Sequence, residues 1–399
     1  MSEYRDKLFS PAKLNGLELR NRIIRSACFE GMCSDGYPTE RLIDLHRELA
    51  KGGVGMTTVA YCAVEPDGRM RETMMYMHEG IRPQMEQLTR AVHEAGAKIS
   101  GQIGHCGNFS QNKKLQGKRP LGPSPMINLS GIPYGVPFAG AMTHADIDRM
   151  VQCFHDAALF MKSAGFDALE IHFGHGYGLS QFISPKTNKR KDEYGGSLIN
   201  RMRYPLRVLE AVRKAVGDGF PILGKMGLTD GVEGGLTEDE AIEVARMLDD
   251  AGIDALIPTG GTSSMNPMLL FHGESLLPGL IKVEKNWITR LGMCLVGPRM
   301  FKKYPYEELY FLEGAKRVRD RIKNAKLCYI GGVCTMESLE TVMREFDFVE
   351  IGRALLKDPA FVSHAMADPN YVNGCDHCNK CATLIFHPDG IRCVANDKR

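Results

Sequence analysis

The sequence predicts an α/β fold: a (β/α)8 TIM barrel with a C-terminal cysteine-rich extension. Three observations predict it. Short β-type runs alternate with helical patterns eight times along 399 residues. Three helical patterns end on the same signal, Ala95-Gly96, Ala164-Gly165 and Ala251-Gly252, each followed by a strand. The first strand runs into Ser26-Ala27-Cys28-Phe29 with no GxGxxG turn, which counts against a doubly wound open sheet.

The expected strands are Arg22–Cys28, Val54–Ala60, Lys98–Gly104, Ala168–Phe173, Pro221–Met226, Ala255–Pro258, Lys326–Ile330 and Phe348–Ile351. The expected helices are Thr39–Lys51, Ile81–Ala95, His144–Ala164, Asn200–Val216, Thr237–Ala251, Glu307–Asn324, Thr335–Arg344 and Pro359–Met366. Thr237-Glu238-Asp239-Glu240 reads as a capping box opening the fifth of these. Two long segments interrupt the alternation. Asn108–Gly140 is rich in Gly, Pro and Ser, and Gly261–Leu312 carries the single tryptophan, Trp287. Both follow the C-terminal ends of strands, the face on which barrel enzymes carry their sites. Residues 1–370 are expected to form the barrel and 371–399 the extension.

Composition narrows the function. Lys and Arg number 50 against 48 Asp and Glu, a net charge of +2, which argues against nucleic acid or a membrane surface as the partner. No run approaches the roughly 20 apolar residues of a membrane span. The charged start, Met1 to Lys7, does not read as a secretory signal, so a cytoplasmic protein with reduced thiols is expected. Eight of the 12 cysteines are scattered singly; the other four cluster near the end, which points to one metal or cluster site and not to a disulfide framework.

The fourth strand delivers Glu170-Ile171-His172-Phe173-Gly174-His175-Gly176-Tyr177-Gly178. The plain alternative is two surface histidines and a packed tyrosine. A metal site would need a third ligand at an obvious spacing, and none follows Tyr177. The chemical reading is a polar clamp in which two imidazole N–H groups hold a substrate oxygen and a phenol supplies a proton.

The following segment continues Ser180-Gln181-Phe182-Ile183-Ser184-Pro185, then Asn188-Lys189-Arg190-Lys191-Asp192-Glu193-Tyr194-Gly195-Gly196-Ser197, to Asn200-Arg201. It resembles the signature of the Old Yellow Enzyme family of FMN-dependent oxidoreductases. So do Leu8-Phe9-Ser10-Pro11, Leu19-Arg20-Asn21-Arg22-Ile23, the turn Gln102-Ile103-Gly104-His105-Cys106-Gly107, and Ile351-Gly352-Arg353-Ala354-Leu355 before Asp358-Pro359. The resemblance runs from about Lys7 to Arg392 and implies the barrel fold independently.

It also implies roles. Ser26, Ala27 and Ala60 would offer backbone contacts to a flavin, and Gln102 would bond its pyrimidine edge. Lys225, where the family usually has Arg, would stabilise negative charge on the reduced ring. Gly331, Gly332, Gly352 and Arg353 would form the phosphate site; taken alone, such glycines are ordinary tight turns. NADH or NADPH would reduce FMN, His172 and His175 would bind a carbonyl oxygen, hydride would pass to the β carbon of a conjugated C=C bond, and Tyr177 would protonate the α carbon. Three departures bear on substrate choice. Phe29 falls where many relatives have Thr or Cys, Asn108 replaces an Arg, and Pro258–Pro278 does not match the substrate loop of simple ene-reductases.

The tail reads Cys375-x2-Cys378-x2-Cys381-x11-Cys393, and Pro388-Asp389-Gly390 supplies a turn before the last cysteine. Clustered thiolates suit a 4Fe-4S cluster or, less well, zinc; free thiols are the third reading. The arrangement resembles that of the 2,4-dienoyl-CoA reductase and trimethylamine dehydrogenase branch of the family, in which a cluster relays electrons to a second flavin domain. That domain does not follow here, so a working cluster is expected to take electrons from a separate redox partner protein. The leading function is an ene-reductase acting on a small α,β-unsaturated carbonyl or thioester, with a homo-oligomer compatible with it. The alternatives are oxidative amine dealkylation, which favours an aromatic cage, a Schiff-base aldolase using Lys225, and a non-catalytic binding barrel.

Overall fold

The computed structural model describes residues 2–385 and 387–397; Met1, Phe386, Lys398 and Arg399 lie outside the described residues. Eight parallel strands close into a barrel. They are β1 (Ile23–Arg25), β2 (Met56–Ala63), β3 (Lys98–Gly104), β4 (Ala168–Phe173), β5 (Ile222–Gly227), β6 (Ala255–Thr259), β7 (Lys326–Ile330) and β8 (Phe348–Ile351). Each pairs with its successor, and β8 returns to β1 with Val349 opposite Ile23 and Ile351 opposite Arg25. Every residue of β2, β4, β5, β6 and β8 is buried, the pattern of strands covered on both faces.

The covering helices are α1 (Glu40–Lys51), α2 (Arg82–Glu94), α3 (His144–Ser163), α4 (Leu198–Val216), α5 (Glu238–Asp250), α6 (Leu312–Arg319), α7 (Met336–Glu345) and α8 (Phe361–Ala367). Gly96, Gly165 and Gly252 take positive φ just past their helices, as the Ala-Gly signals predict. The box at Thr237 is only half formed: its hydroxyl accepts from Glu240 N at 3.3 Å, while the Glu240 carboxylate turns to Arg201.

Three further boundaries differ from expectation for physical reasons. β1 ends at Arg25, because the chain then turns so that Glu30 can meet the Arg25 guanidinium at 2.5 Å. β2 runs on to Ala63 through an irregularity between Val59 and Cys62. The stretch 307–311 is not helical; Leu309 N donates to Gly332 O at 2.9 Å and docks this stretch on the turn after β7.

A hairpin, Ala12–Leu14 with Leu17–Leu19, plugs the N-terminal end of the barrel. Ala12, Leu14 and Leu19 pack there with Ile24, Met56, Ala168, Leu223, Cys328 and Phe348. Because side chains alternate along a strand, the layer two residues further along is Ser26, Gln102, Glu170, Lys225 and Glu350. An apolar floor therefore carries a polar layer facing the C-terminal mouth. At that mouth, 108–141 contributes three short strands and 261–311 contributes helices Met268–Phe271, Leu277–Val283 and Trp287–Met300. The tail folds back over the barrel: Glu274 N donates to His377 O and Ile391 N to Glu30 O. Among the described residues, no helix is long and apolar enough to cross a membrane.

Candidate active site

The polar layer is a connected network. Lys225 Nζ lies 3.0 Å from Glu170 Oε1 and 2.9 Å from Glu350 Oε2, with all three side chains essentially buried. Gln102 Nε2 donates to Glu170 Oε1 at 2.6 Å, and Ser26 Oγ stands 3.3 Å from Lys225 Nζ. Burial alone would lower the Lys225 pKa; the two carboxylates overturn that and hold it above the ordinary lysine value. Lys225 is therefore a fixed cation. This corrects the aldolase alternative, because a Schiff-base nucleophile must shed its proton.

At the end of β4 the chain brings together the three residues expected to form a clamp. The His172 and His175 rings are 5.0 Å apart between centroids, and the Tyr177 ring lies 4.6 Å from His172. His175 adopts φ +58°, an uncommon conformation for a non-glycine residue, which re-aims its ring. Its Nε2 meets Thr259 Oγ1 at 3.0 Å, leaving Nδ1 for another partner. His172 Nδ1 is buried and has no hydrogen-bond partner in the structure. Burial, then the neighbouring His175 and Lys225, push the His172 pKa far down; burial and Lys225 push that of His175 to about 3. Both imidazoles are neutral at neutral pH. Tyr177 is walled by Tyr61 and Phe109 with edge contacts at 5.1 and 5.0 Å. Burial raises its phenol pKa well above the usual value, so it keeps its proton.

Much of the signature braces this site. Gln181 accepts from Asn108 N and donates to Cys106 O and Gly176 O, joining the turns after β3 and β4. Gly107 lies so close to that amide that a Cβ would sit 2.1 Å from Gln181 Oε1. His105 faces Glu65 at 3.1 Å, so it belongs to the scaffold. Asn188 donates to Phe182 O and Tyr194 O.

The two glycine turns after β7 and β8 stand side by side through strand pairing. Gly331 and Gly332 take φ +124° and +70°, and Tyr329 Oη donates to Gly331 O. Arg353 Nη1 donates to His272 O at 2.9 Å and Asn379 Oδ1 at 2.5 Å, so its guanidinium is held jointly by the long insertion and the tail. Gly352 precedes it with Cys28 alongside. Ala27, which follows Ser26, is partly exposed and, like Tyr177, packs against the cluster of Ala60, Tyr61, Ala63 and Met74.

Of the residues expected from sequence, His172, His175 and Tyr177 converge, and Ser26, Gln102 and Lys225 share one layer. The Ala60 N–H is taken by Glu30, whose Oε2 lies 3.1 Å away, so that N–H is not available to a ligand. Cys375, Cys378, Cys381 and Cys393 are all partly buried and unpaired. The Cys381 thiol is pushed up to about 12 by burial, against the opposing pull of the Arg353 guanidinium, with the Cys375, Cys28 and Cys378 thiols as neighbours. A tetrahedral zinc site would draw its sulfurs to about 3.8 Å of one another. Among the described residues the tight ligand-type group is instead the surface trio His144, Asp192 and Glu193. Sequence reasoning missed Glu170 and Glu350 as partners of Lys225, Glu30 as the brace of Ala60, and Asn379 as the tether of Arg353. The usable signal was a carboxylate inside a wholly apolar strand, as in Ala-Leu-Glu-Ile and Phe-Val-Glu-Ile.

Residues 7–262 match the model of the NADH:flavin oxidoreductase / NADH oxidase family. The chain is 40% identical to the 4,4'-dithiodibutanoate disulfide reductase of Rhodococcus erythropolis, over 98% of this chain and 95% of that protein. It is 31% identical to the NADH oxidase of Thermoanaerobacter brockii over 98% of this chain, which spans only 56% of that longer protein. Among solved structures, a 2-naphthoyl-CoA reductase in complex with 2-naphthoyl-CoA superposes with a TM-score of 0.81 at 24% identity, over 98% of this chain and 56% of that one. That last likeness bears on the fold.

Proposed function

The chain belongs to the NADH:flavin oxidoreductase / NADH oxidase family, the Old Yellow Enzyme family, and is an FMN-dependent oxidoreductase; from that premise we propose that it reduces the activated C=C bond of an α,β-unsaturated carbonyl compound or thioester, drawing on NADH or NADPH. The observation that carries this reading is the convergence of two neutral imidazoles and a protonated phenol at the end of β4.

The residues present fit FMN. Gly331, Gly332 and Gly352 would offer side-chain-free backbone to a phosphate, and Arg353 would bring the cation. Gln102 and the Ser26–Lys225 pair would supply polar groups for the ring, and Ala27 and Ala60 would offer backbone beside it. When bound, FMN takes hydride from the nicotinamide and returns it to the second substrate. The protein's own groups do the rest. His172 and His175 hold the carbonyl oxygen and draw electron density from the double bond. They then stabilise the developing enolate, and their neutrality lets them act as donors without adding a buried charge. Tyr177 gives its proton to the α carbon. The test is anaerobic reoxidation of the reduced enzyme by 2-cyclohexenone, with product analysis. Rapid reoxidation with formation of cyclohexanone is expected; no reaction with any of a panel of enones, acrylates and enoyl thioesters overturns the reading.

The Rhodococcus relative favours a second reading, reduction of an organic disulfide. There the hydride equivalent would cleave S–S and Tyr177 would protonate a departing thiolate, giving two thiols. Reoxidation by 4,4'-dithiodibutanoate, with enones inert, would select it. Trp287 gives no support to amine oxidation, since it is 71% exposed on the outer insertion. For the tail, Cys375, Cys378, Cys381 and Cys393 are proposed to hold a 4Fe-4S cluster, which needs wider sulfur spacing than zinc and would exchange electrons with a separate protein. An anaerobic absorption spectrum with iron and acid-labile sulfide assays tests this; about four irons per chain are expected, and zinc or no metal would refute it.

A further inference from the structure

The charge around Lys225 does not balance. One ammonium faces two carboxylates, Glu170 at 3.0 Å and Glu350 at 2.9 Å, and none of the three side chains is more than 2% exposed. Among the described residues, the surrounding elements offer no second cation. From β1 comes the Ser26 hydroxyl and, just beyond it, the Cys28 thiol, which burial keeps protonated. From β3 comes the neutral Gln102 amide, from β4 and its turn the neutral His172 and His175, and from β7 the buried Cys328 thiol. Arg25 is already committed to Glu30. Fully ionised, the cluster would carry an unpaired buried negative charge, which is strongly unfavourable. Two carboxyl groups gathered on one ammonium escape that cost by keeping one proton between them. Beyond the ion pair with Lys225, both Glu350 oxygens are buried without a hydrogen-bond partner, and burial, with Glu350 as a like-charged neighbour, pushes the Glu170 carboxyl upward.

We propose that Glu170 and Glu350 form a single proton-sharing carboxyl pair bridged by Lys225, and that this pair sets the charge the barrel presents to the flavin. Both are positioning residues. Glu170 also accepts from Gln102 Nε2, so it aims the amide oxygen of Gln102 away from itself and toward the mouth. The inference rests on the family's cofactor and not on the substrate reading. Its consequence is a linkage. Hydride transfer from nicotinamide brings two electrons and one proton to the flavin and leaves negative charge on the ring. Where the pair has lost its proton, that charge draws one further proton from solvent onto the carboxyl pair. The reduction then consumes one more proton than it does where the pair is already protonated.

Two measurements test this on the full chain. The first is infrared difference spectroscopy of flavin-free protein at pH 7, wild type minus Glu170→Gln and wild type minus Glu350→Gln. Each difference is expected to show the loss of one protonated-carboxyl C=O band, because Lys225 neutralises whichever carboxylate remains. The second is the flavin midpoint potential of the FMN-loaded proteins from pH 6 to 10. The wild type is expected to steepen at alkaline pH by one proton per two electrons, a tenfold change in equilibrium constant per pH unit or about 30 mV. Both Gln variants are expected to lack that steepening. No carboxyl band in either difference spectrum overturns the shared proton. A band present with parallel potential curves in all three proteins overturns the coupling to flavin. The infrared result stands apart from cofactor loading and from the identity of the substrate.

Discussion

Replacing Tyr177 with Phe removes one oxygen atom from the centre of the proposed site and little else. The ring stays walled by Tyr61, Phe109 and His172 at 5.1, 5.0 and 4.6 Å, so packing is retained. The hydrogen bonding lost with one hydroxyl is worth about 1 kcal/mol of stability. The loss to catalysis should be far larger. A positioned general acid contributes roughly 10²–10⁴ in rate, which at 1.36 kcal/mol per tenfold is roughly 3–5 kcal/mol of barrier. The two half-reactions separate in anaerobic stopped flow. Reduction by NAD(P)H is expected to remain within about twofold of wild type, because no phenolic proton moves there, whereas reoxidation by 2-cyclohexenone should fall by about 10² or more. Because burial raises the Tyr177 pKa, wild-type reoxidation should show no loss of a general acid between pH 6 and 9. Equal slowing of both half-reactions would refute the assignment, as would reoxidation at more than half the wild-type rate.

Three more outcomes follow from the same structure. His172→Ala should weaken binding of a para-substituted phenol, followed by the flavin absorbance change, by about tenfold, the worth of one hydrogen bond to a charged oxygen; unchanged affinity removes His172 from the clamp. Gly332→Ala places a Cβ 2.8 Å from Glu307 O at φ +70° and should cost about 1–3 kcal/mol along with at least tenfold in FMN affinity by fluorescence titration; wild-type affinity would remove that turn from the phosphate site. Despite the upward push of burial, His105 and Arg149 hold Glu65 down at about 2 against 4.5 in the unfolded chain. Its folded pKa is depressed, so its stabilisation is full above pH 4.5 and lost as pH falls toward 2, roughly 3 kcal/mol in all. Urea unfolding of wild type and Glu65→Gln should show a stability gap that narrows across that window, and a gap independent of pH would contradict it.

The barrel was legible because each strand is a short apolar run between helix signals, and β3, β4, β7 and β8 begin and end on the residues expected. Boundaries slipped where a long-range partner decides them. The start of α6 is governed by Leu309 docking on Gly332, a contact between residues 23 apart that no local pattern encodes. The clamp was legible since His172, His175 and Tyr177 sit within six positions on one turn. The Lys225 cluster was not, because Gln102, Glu170, Lys225 and Glu350 come from four different strands and meet only when the barrel closes. Asn379 was hidden for the same reason, as its tie to Arg353 spans 26 residues and depends on the tail folding back.

The seam at which Ile351 meets Arg25 joins residues 326 positions apart. On a ribosome adding about 5–20 residues per second, β1 waits some tens of seconds before its partner is made. During that interval the edges of β1 and of the last strand formed are unpaired, and the turns carrying Ser26 and Arg353 belong to separate pieces of chain. No nascent fragment short of β8 offers the complete proposed cradle, so FMN would enter only once β8 has emerged and would act on the closed barrel by mass action. Flavin supply would then govern how much of the newly made chain persists in its folded form, a dependence that pulse-labelling under riboflavin limitation would expose.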